Sequence, residues 1–149
     1  MRGSTVVLSN STVSNNSTNS SGGGIAMSNT GGPAWPDTPG SLTLSNSTIS
    51  ENSGLFYGGN VYFWGDNTAV LSNTIIANSV MRADCRNTGT TIFANSDSII
   101  EDGSCGTVAL KVNPKLGPLK DNGGPTKTHA LLPGSPAINA GNNAQCATD

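Results

Sequence analysis

Three times the chain writes nearly the same phrase: "LSNSTV" from Leu8, "LSNSTI" from Leu44 and "LSNTII" from Leu71. The first two copies belong to longer matching stretches, residues 5–27 and 41–63. Asn10 matches Asn46, Val13 matches Ile49, Asn16 matches Asn52 and Ile25 matches Val61, all at one offset. A constant offset over that length marks a structural repeat and takes precedence over any other reading of the fold. "SNTGGPAWPDTPG" (28–40) separates the first copy from the second. Only "WGDNT" (64–68) separates the second from the third, which reads as one residue shorter. The unit is therefore about 25 residues, with a loop inserted ahead of the second copy. Residues 83–100 read as a poorer fourth copy.

Inside each unit the period is two. Leu42 and Leu44 alternate with Thr43 and Ser45, and Val61 and Phe63 with Asn60 and Tyr62. That is strand periodicity with one apolar face. Asn, Ser and Gly break the strands at short intervals and mark bends rather than helices. Stacking such units gives a parallel β-helix, in which the apolar residues of one coil sit over those of the coil below. The recurring Asn would form a ladder at one corner, from Asn10 through Asn46 and Asn73 to Asn95.

Composition narrows the function classes. Of 149 residues, 34% are hydrophobic and 11% charged, and the net charge is −2. Disordered chains of low hydrophobicity usually carry a high net charge, so ordered stacked β structure fits better. No basic stripe exists for nucleic acid, and no apolar run is long enough to span a membrane. A lyase or glycoside hydrolase needs a base and cations, or paired carboxyls on one face. Glu101 and Asp102 are adjacent, so in a strand they would point apart, and "EDGS" reads as a turn. His129 has no partner in any recognisable motif and reads as structural. Three Cys and one His show no metal-ligand spacing. No catalytic residue, metal site or cofactor is therefore assigned.

The tail carries a specific resemblance. "DC" at 84–85, "DGSCG" at 102–106 and "NPKLGPLKDNGGPTKTHALLPGSPAINAGNNAQCATD" at 113–149 resemble the C-terminal part of bacterial secreted proteins of the choice-of-anchor Q type. The repeats "LTLSNSTISENS" with "GGGI" or "GGNV" are similar to the wider pectin-lyase-like and polymorphic outer-membrane-protein families. Asn113 and Asn139 stand where the family pattern has Asp. The resemblance implies a right-handed single-stranded parallel β-helix of about four coils, with an irregular C-terminal cap. Residues 1–112 would be coils and 113–149 the cap, within one domain. It also implies a secreted or cell-surface location, with more coils upstream and an anchor downstream in the parent. "THALLPGSPAI" would close the last coil.

A structural or adhesive role follows, with a carbohydrate-binding candidate. Tyr62 should face outward, and Trp35 and Trp64 would lie on one edge of neighbouring coils, where exposed rings stack on sugars. The bland alternative folds Trp35 down over apolar surface beside its loop. A polysaccharide-active enzyme is the second reading. An ice- or surface-templating face built on Thr12, Thr48 and Thr74 is the third. The N-terminal strand "TVVLSN" would leave an open edge prone to self-association. Cys85 and Cys105 are about one coil apart. Since coils rise by the ~4.8 Å spacing of paired strands, the two can meet the geometry of a disulfide. The alternative is a reduced, buried pair. Cys146 is left without a partner.

Overall fold

A computed structural model describes residues 3–29, 38–106 and 110–145. The sequence repeat reappears as strand pairing. The first repeat supplies β1 (Thr5–Ser9), β2 (Thr12–Ser14), β3 (Ser17–Thr18) and β4 (Ile25–Ser28). The second supplies β5 (Gly40–Ser45), β6 (Thr48–Ser50), β7 (Ser53–Gly54) and β8 (Val61–Trp64). The third supplies β9 (Asn67–Ser72), β10 (Ile75–Ala77) and β11 (Cys85–Asn87), and the fourth β12 (Ile92–Ser96) and β13 (Ile99–Ile100). Strands one repeat apart pair in parallel, in the sheet orders β1-β5-β9-β12, β2-β6-β10-β13 and β4-β8-β11. The protein is thus all-β with parallel sheets. Among the described residues the only helical turn is a short 3-10 segment, Asn143–Gln145.

Register explains the phrase. Leu8, Leu44 and Leu71 are partners, as are Val13, Ile49, Ile76 and Ile100. Ser45 pairs with Ser72 and Thr48 with Ile75 without a break. The third phrase is therefore not a residue shorter: Thr74 and Ile75 stand in for Ser47 and Thr48. Just after these serines the chain turns between the first two sheets. Asn10, Asn46, Asn73 and Asp97 make that turn with φ of 49°, 48°, 47° and 51°. Left-handed backbone is unfavourable for most L-residues, and Asn and Asp tolerate it best. Asn15, Glu51 and Asn78 make a second left-handed corner after β2, β6 and β10.

One assignment at this corner is corrected. Asn95 pairs with Leu71, within β12, so it occupies the column of Leu8, Leu44 and Leu71. The fourth corner residue is Asp97, because the turn demands left-handed backbone at the position after Ser96. The amide ladder is real between Asn73 and Asn46, whose Nδ2 and Oδ1 lie 3.0 Å apart.

The alternating residues fill the space between the sheets. Leu42, Leu44, Ile49, Val61, Phe63, Leu71, Ile76 and Ile100 are buried in one cluster. Phe63 meets Phe93 edge-on, with ring centroids 5.2 Å apart. At the end formed by the first repeat the columns are open: Val6, Leu8, Val13 and Ile25 are only half-buried against that cluster.

The segment after Asn113 departs from the expected cap over the last repeat. Leu110 bridges Ile99 and extends the second sheet. Then β14 (Leu116–Lys120) and β15 (Thr128–Leu131) form an antiparallel hairpin that runs back across the repeats. Nε2 of His129 reaches Ser14 Oγ in the first repeat at 2.8 Å. Farther on, the Asn142 amide donates to Asn73 Oδ1 at 2.8 Å, and Asn46 Nδ2 donates to the Gln145 carbonyl at 3.2 Å. The tail is an arm that ties non-adjacent repeats together from outside.

The open end makes a prediction. Leu44→Ala should lower the unfolding free energy by about 3 kcal/mol, as for a fully enclosed leucine. Leu8→Ala, in the same column, should cost less than half as much in urea unfolding. Equal losses would mean that the first repeat is covered.

Candidate functional site

The outward face of the third sheet carries a cleft lined by aromatic rings. Ala26, Tyr62 and Arg86 are register partners there, and Ser28 pairs with Trp64. In the second repeat, the segment between β7 and β8 adds Phe56 and Tyr57. Gly58 returns that segment to the sheet with φ of 53°, where a Cβ would fall 2.1 Å from the Val61 carbonyl oxygen. Only glycine makes this turn. Phe56, Tyr57, Tyr62 and Trp64, with Ser20, Ser21, Ala26 and Ser28, line an open cleft of about 480 Å³.

The rings are ordered by one another and remain accessible. Tyr57 and Tyr62 stack with centroids 5.8 Å apart and planes 21° from parallel. The Arg86 guanidinium lies 5.9 Å from the Tyr57 centroid, within cation–π range. Tyr62 Oη bonds to Thr88 Oγ1 at 3.0 Å. Phe56, Tyr57 and Trp64 remain 56%, 49% and 51% exposed. Arg82, fixed by its Nε to the Leu55 carbonyl at 3.0 Å, joins Arg86, Phe56 and Tyr57 around a smaller adjoining recess. Of the three residues expected here from the sequence, Tyr62 and Trp64 come together in the cleft. Trp35 lies outside the described residues. Phe56 and Tyr57 lie only a few residues before Tyr62 and Trp64 in the sequence. Arg86 carries no such signal, because its place over Tyr57 depends on its pairing with Tyr62 across repeats.

A second polar feature is buried. Asn52 Nδ2 donates to Asn60 Oδ1 at 2.9 Å, and Asn60 Nδ2 donates to Asp84 Oδ1 at 3.0 Å. Asn52 Oδ1 accepts from the Asn16 side chain at 3.1 Å. Asp84 and Asp102 each accept the other's backbone N–H, at 3.3 and 3.0 Å. The column satisfies the backbone around the second corner, including the carbonyls of Val13, Ser50 and Ala77 in β2, β6 and β10, which hydrocarbon could not do. Burial, with the Asp102 carboxylate nearby, raises the Asp84 pKa to about 6, against a partly offsetting bond from the Ser79 N–H. Glu101 and Asp102 lie in the turn expected of "EDGS". Among the described residues, no three of His, Cys, Asp or Glu form a set that would hold a metal ion.

Cys85 and Cys105 are bonded, with Cα atoms 5.4 Å apart. The bond closes the third repeat onto the turn that follows the fourth, beside Asp84 and Asp102. In the chain-entropy model a loop of this length is worth about 3 kcal/mol. Cys146 lies outside the described residues. The threonine rank does not form: Thr12 and Thr48 pair, but the next partner is Ile75, while Thr74 is buried. One position of register separates it from the face expected to template ice. No helix of the described residues is long and apolar enough to cross a membrane.

No family model matches the chain, and neither a curated protein nor a solved structure does.

The buried carboxyl predicts a pH dependence. The folded pKa of Asp84 lies above its ordinary value of 3.8, so folding favours the protonated form. Its contribution to stability is full below about pH 4 and is lost as the pH rises through about 6. In urea unfolding from pH 4 to 8, wild type should lose stability across that window relative to Asp84→Asn, which has no carboxyl to ionise. Parallel profiles would contradict the assignment.

Proposed function

We propose that this chain is a segment of a right-handed single-stranded parallel β-helix of about four coils, acting as a surface-exposed scaffold whose aromatic cleft holds glycans without cleaving them. The carrying observation is the cleft itself. Three half-exposed rings and Tyr62 gather over the outward face of one sheet, two of them from the sheet and two from the segment before it, on a chain with only 5% aromatic residues. Rings left accessible beside serine hydroxyls suit the apolar face and polar rim of a sugar. The parallel pairings at one-repeat steps support the β-helix reading. The disulfide supports an oxidising exterior, as does the tail's resemblance to secreted choice-of-anchor Q proteins. An adhesive scaffold needs a stiff body and a laterally displayed site. Stacked repeats tied by an external arm supply the first, and the third sheet supplies the second.

Binding is tested by depletion on insoluble polysaccharides, followed by titration with the soluble oligosaccharide of any that retain the protein. Retention is expected, with Trp64→Ala and Tyr57→Ala each weakening it about 10-fold, the loss of one stacking contact. Both side chains are half-exposed, so the thermal unfolding of these variants should match wild type. Retention that survives both substitutions, or no retention on any glycan, would refute the reading.

A further inference from the structure

A second place in the fold pairs a nucleophile with a base. Ser14 closes β2 in the first repeat. The folded-back arm brings His129, 115 residues later in the chain, to within 2.8 Å of its Oγ. The other ring nitrogen decides the direction of that bond. Nδ1 lies 2.8 Å from the Gly117 carbonyl oxygen, which can only accept, so Nδ1 carries the hydrogen. In the neutral ring Nε2 then holds a lone pair, and the Ser14 hydroxyl donates to it. Asn15 Nδ2 donates to the same Oγ at 3.1 Å. A hydroxyl oxygen has two lone pairs, so one remains for attack.

Access and rigidity are divided suitably. His129 is buried, and its ring is held at both nitrogens. Ser14 is half-buried and Asn15 exposed, so the pair lies at the edge of the protein surface. The arrangement is not general to this column. The partner of Ser14 is Ser50, which is buried and has Asn78 Nδ2 at 3.5 Å, and the next is Ala77. Nucleophile, base and a group orienting the base are the parts that activate a serine.

We propose that Ser14 and His129 form a serine–histidine dyad that accepts an acyl group from a small ester, at a site separate from the aromatic cleft. Ser14 Oγ bonds to the ester carbonyl carbon as its proton passes to Nε2. The bond from that carbon to the alkoxy oxygen then breaks, and the alcohol leaves with the proton from Nε2. Water attacks the acyl-serine, giving its proton to Nε2. As the carboxylic acid departs, that proton returns to Oγ. The Asn15 amide, already beside Oγ, donates to the carbonyl oxygen as it gains charge. Gly117 orients the ring with a neutral carbonyl in place of the carboxylate of a full triad, so turnover is slow.

The test uses the whole chain, with p-nitrophenyl acetate as the ester and diisopropyl fluorophosphate as the irreversible probe, read by intact mass and peptide mapping. One adduct per chain is expected, on Ser14, with no adduct in Ser14→Ala. Labelling should be about 10²-fold slower in His129→Gln, the contribution of a general base. That substitution also loosens the arm, so two further readings are taken. Asn15→Gly keeps the left-handed backbone and should slow labelling several-fold with unchanged thermal unfolding. The wild-type rate should follow a single ionisation with pH. The proposal is overturned by labelling away from Ser14, by equal rates in His129→Gln, or by a rate that climbs with hydroxide over the whole range.

Discussion

Left-handed backbone at the corners is the constraint on which the rest depends. Each repeat passes from its first sheet to its second through one residue near φ of 50°, at Asn10, Asn46, Asn73 and Asp97. A right-handed residue there would send the next strand in another direction, and pairing with the repeat beside it would be lost. Once the corners superpose, strands one repeat apart fall into parallel register, and period-two alternation turns each column of Leu, Val and Ile inward. The recurring "SN" is thus first a backbone requirement. The side-chain bond between Asn73 and Asn46 is added to it, and the arm uses the same two side chains as its anchor.

The second corner, after β2, β6 and β10, adds a buried polar column to its left-handed residues. Asn52, Asn60 and Asp84 are buried, and their amides and carboxylate hold backbone groups that the tight chain path leaves unpaired. Two acidic side chains, Asp84 and Asp102, meet there beside the disulfide. The covalent bond therefore closes the part of the fold where the polar column puts an unfavourable charge. Stability and pH response are coupled at that end, whereas the first-repeat end is limited by its half-buried columns.

Much of this was legible because repeats write the same instruction several times. The inward residues Leu42, Leu44, Val61 and Phe63 and the Cys85–Cys105 pair could be read from spacing alone. Errors arose where a repeat departs from its own pattern. In "FANSDSII" an asparagine fills the inward column and an aspartate the corner, so matching by residue type selected Asn95 rather than Asp97. In "LSNTII" the threonine sits one position early, which put Thr74 on the wrong face and suggested a missing residue. The arm was illegible for another reason. It has no period, and its key contact joins His129 to Ser14 across 115 residues, which no local pattern encodes. The aromatic cleft lies between these cases: the rings were evident, but the Arg86 neighbour depends on cross-repeat pairing.

The aromatic cleft depends on that pairing because it gathers residues from different repeats, and the Ser14–His129 pair depends on it because the arm carrying His129 is anchored across the stacked repeats. The direct test is nuclear Overhauser contact mapping of the uniformly labelled protein. Cross-strand contacts should link Val13 to Ile49, Ile49 to Ile76 and Ile76 to Ile100 in parallel order, at the same register as Leu8, Leu44 and Leu71. Antiparallel contacts among these strands, or a register that places Asn95 rather than Asp97 beside Asn73, would contradict it.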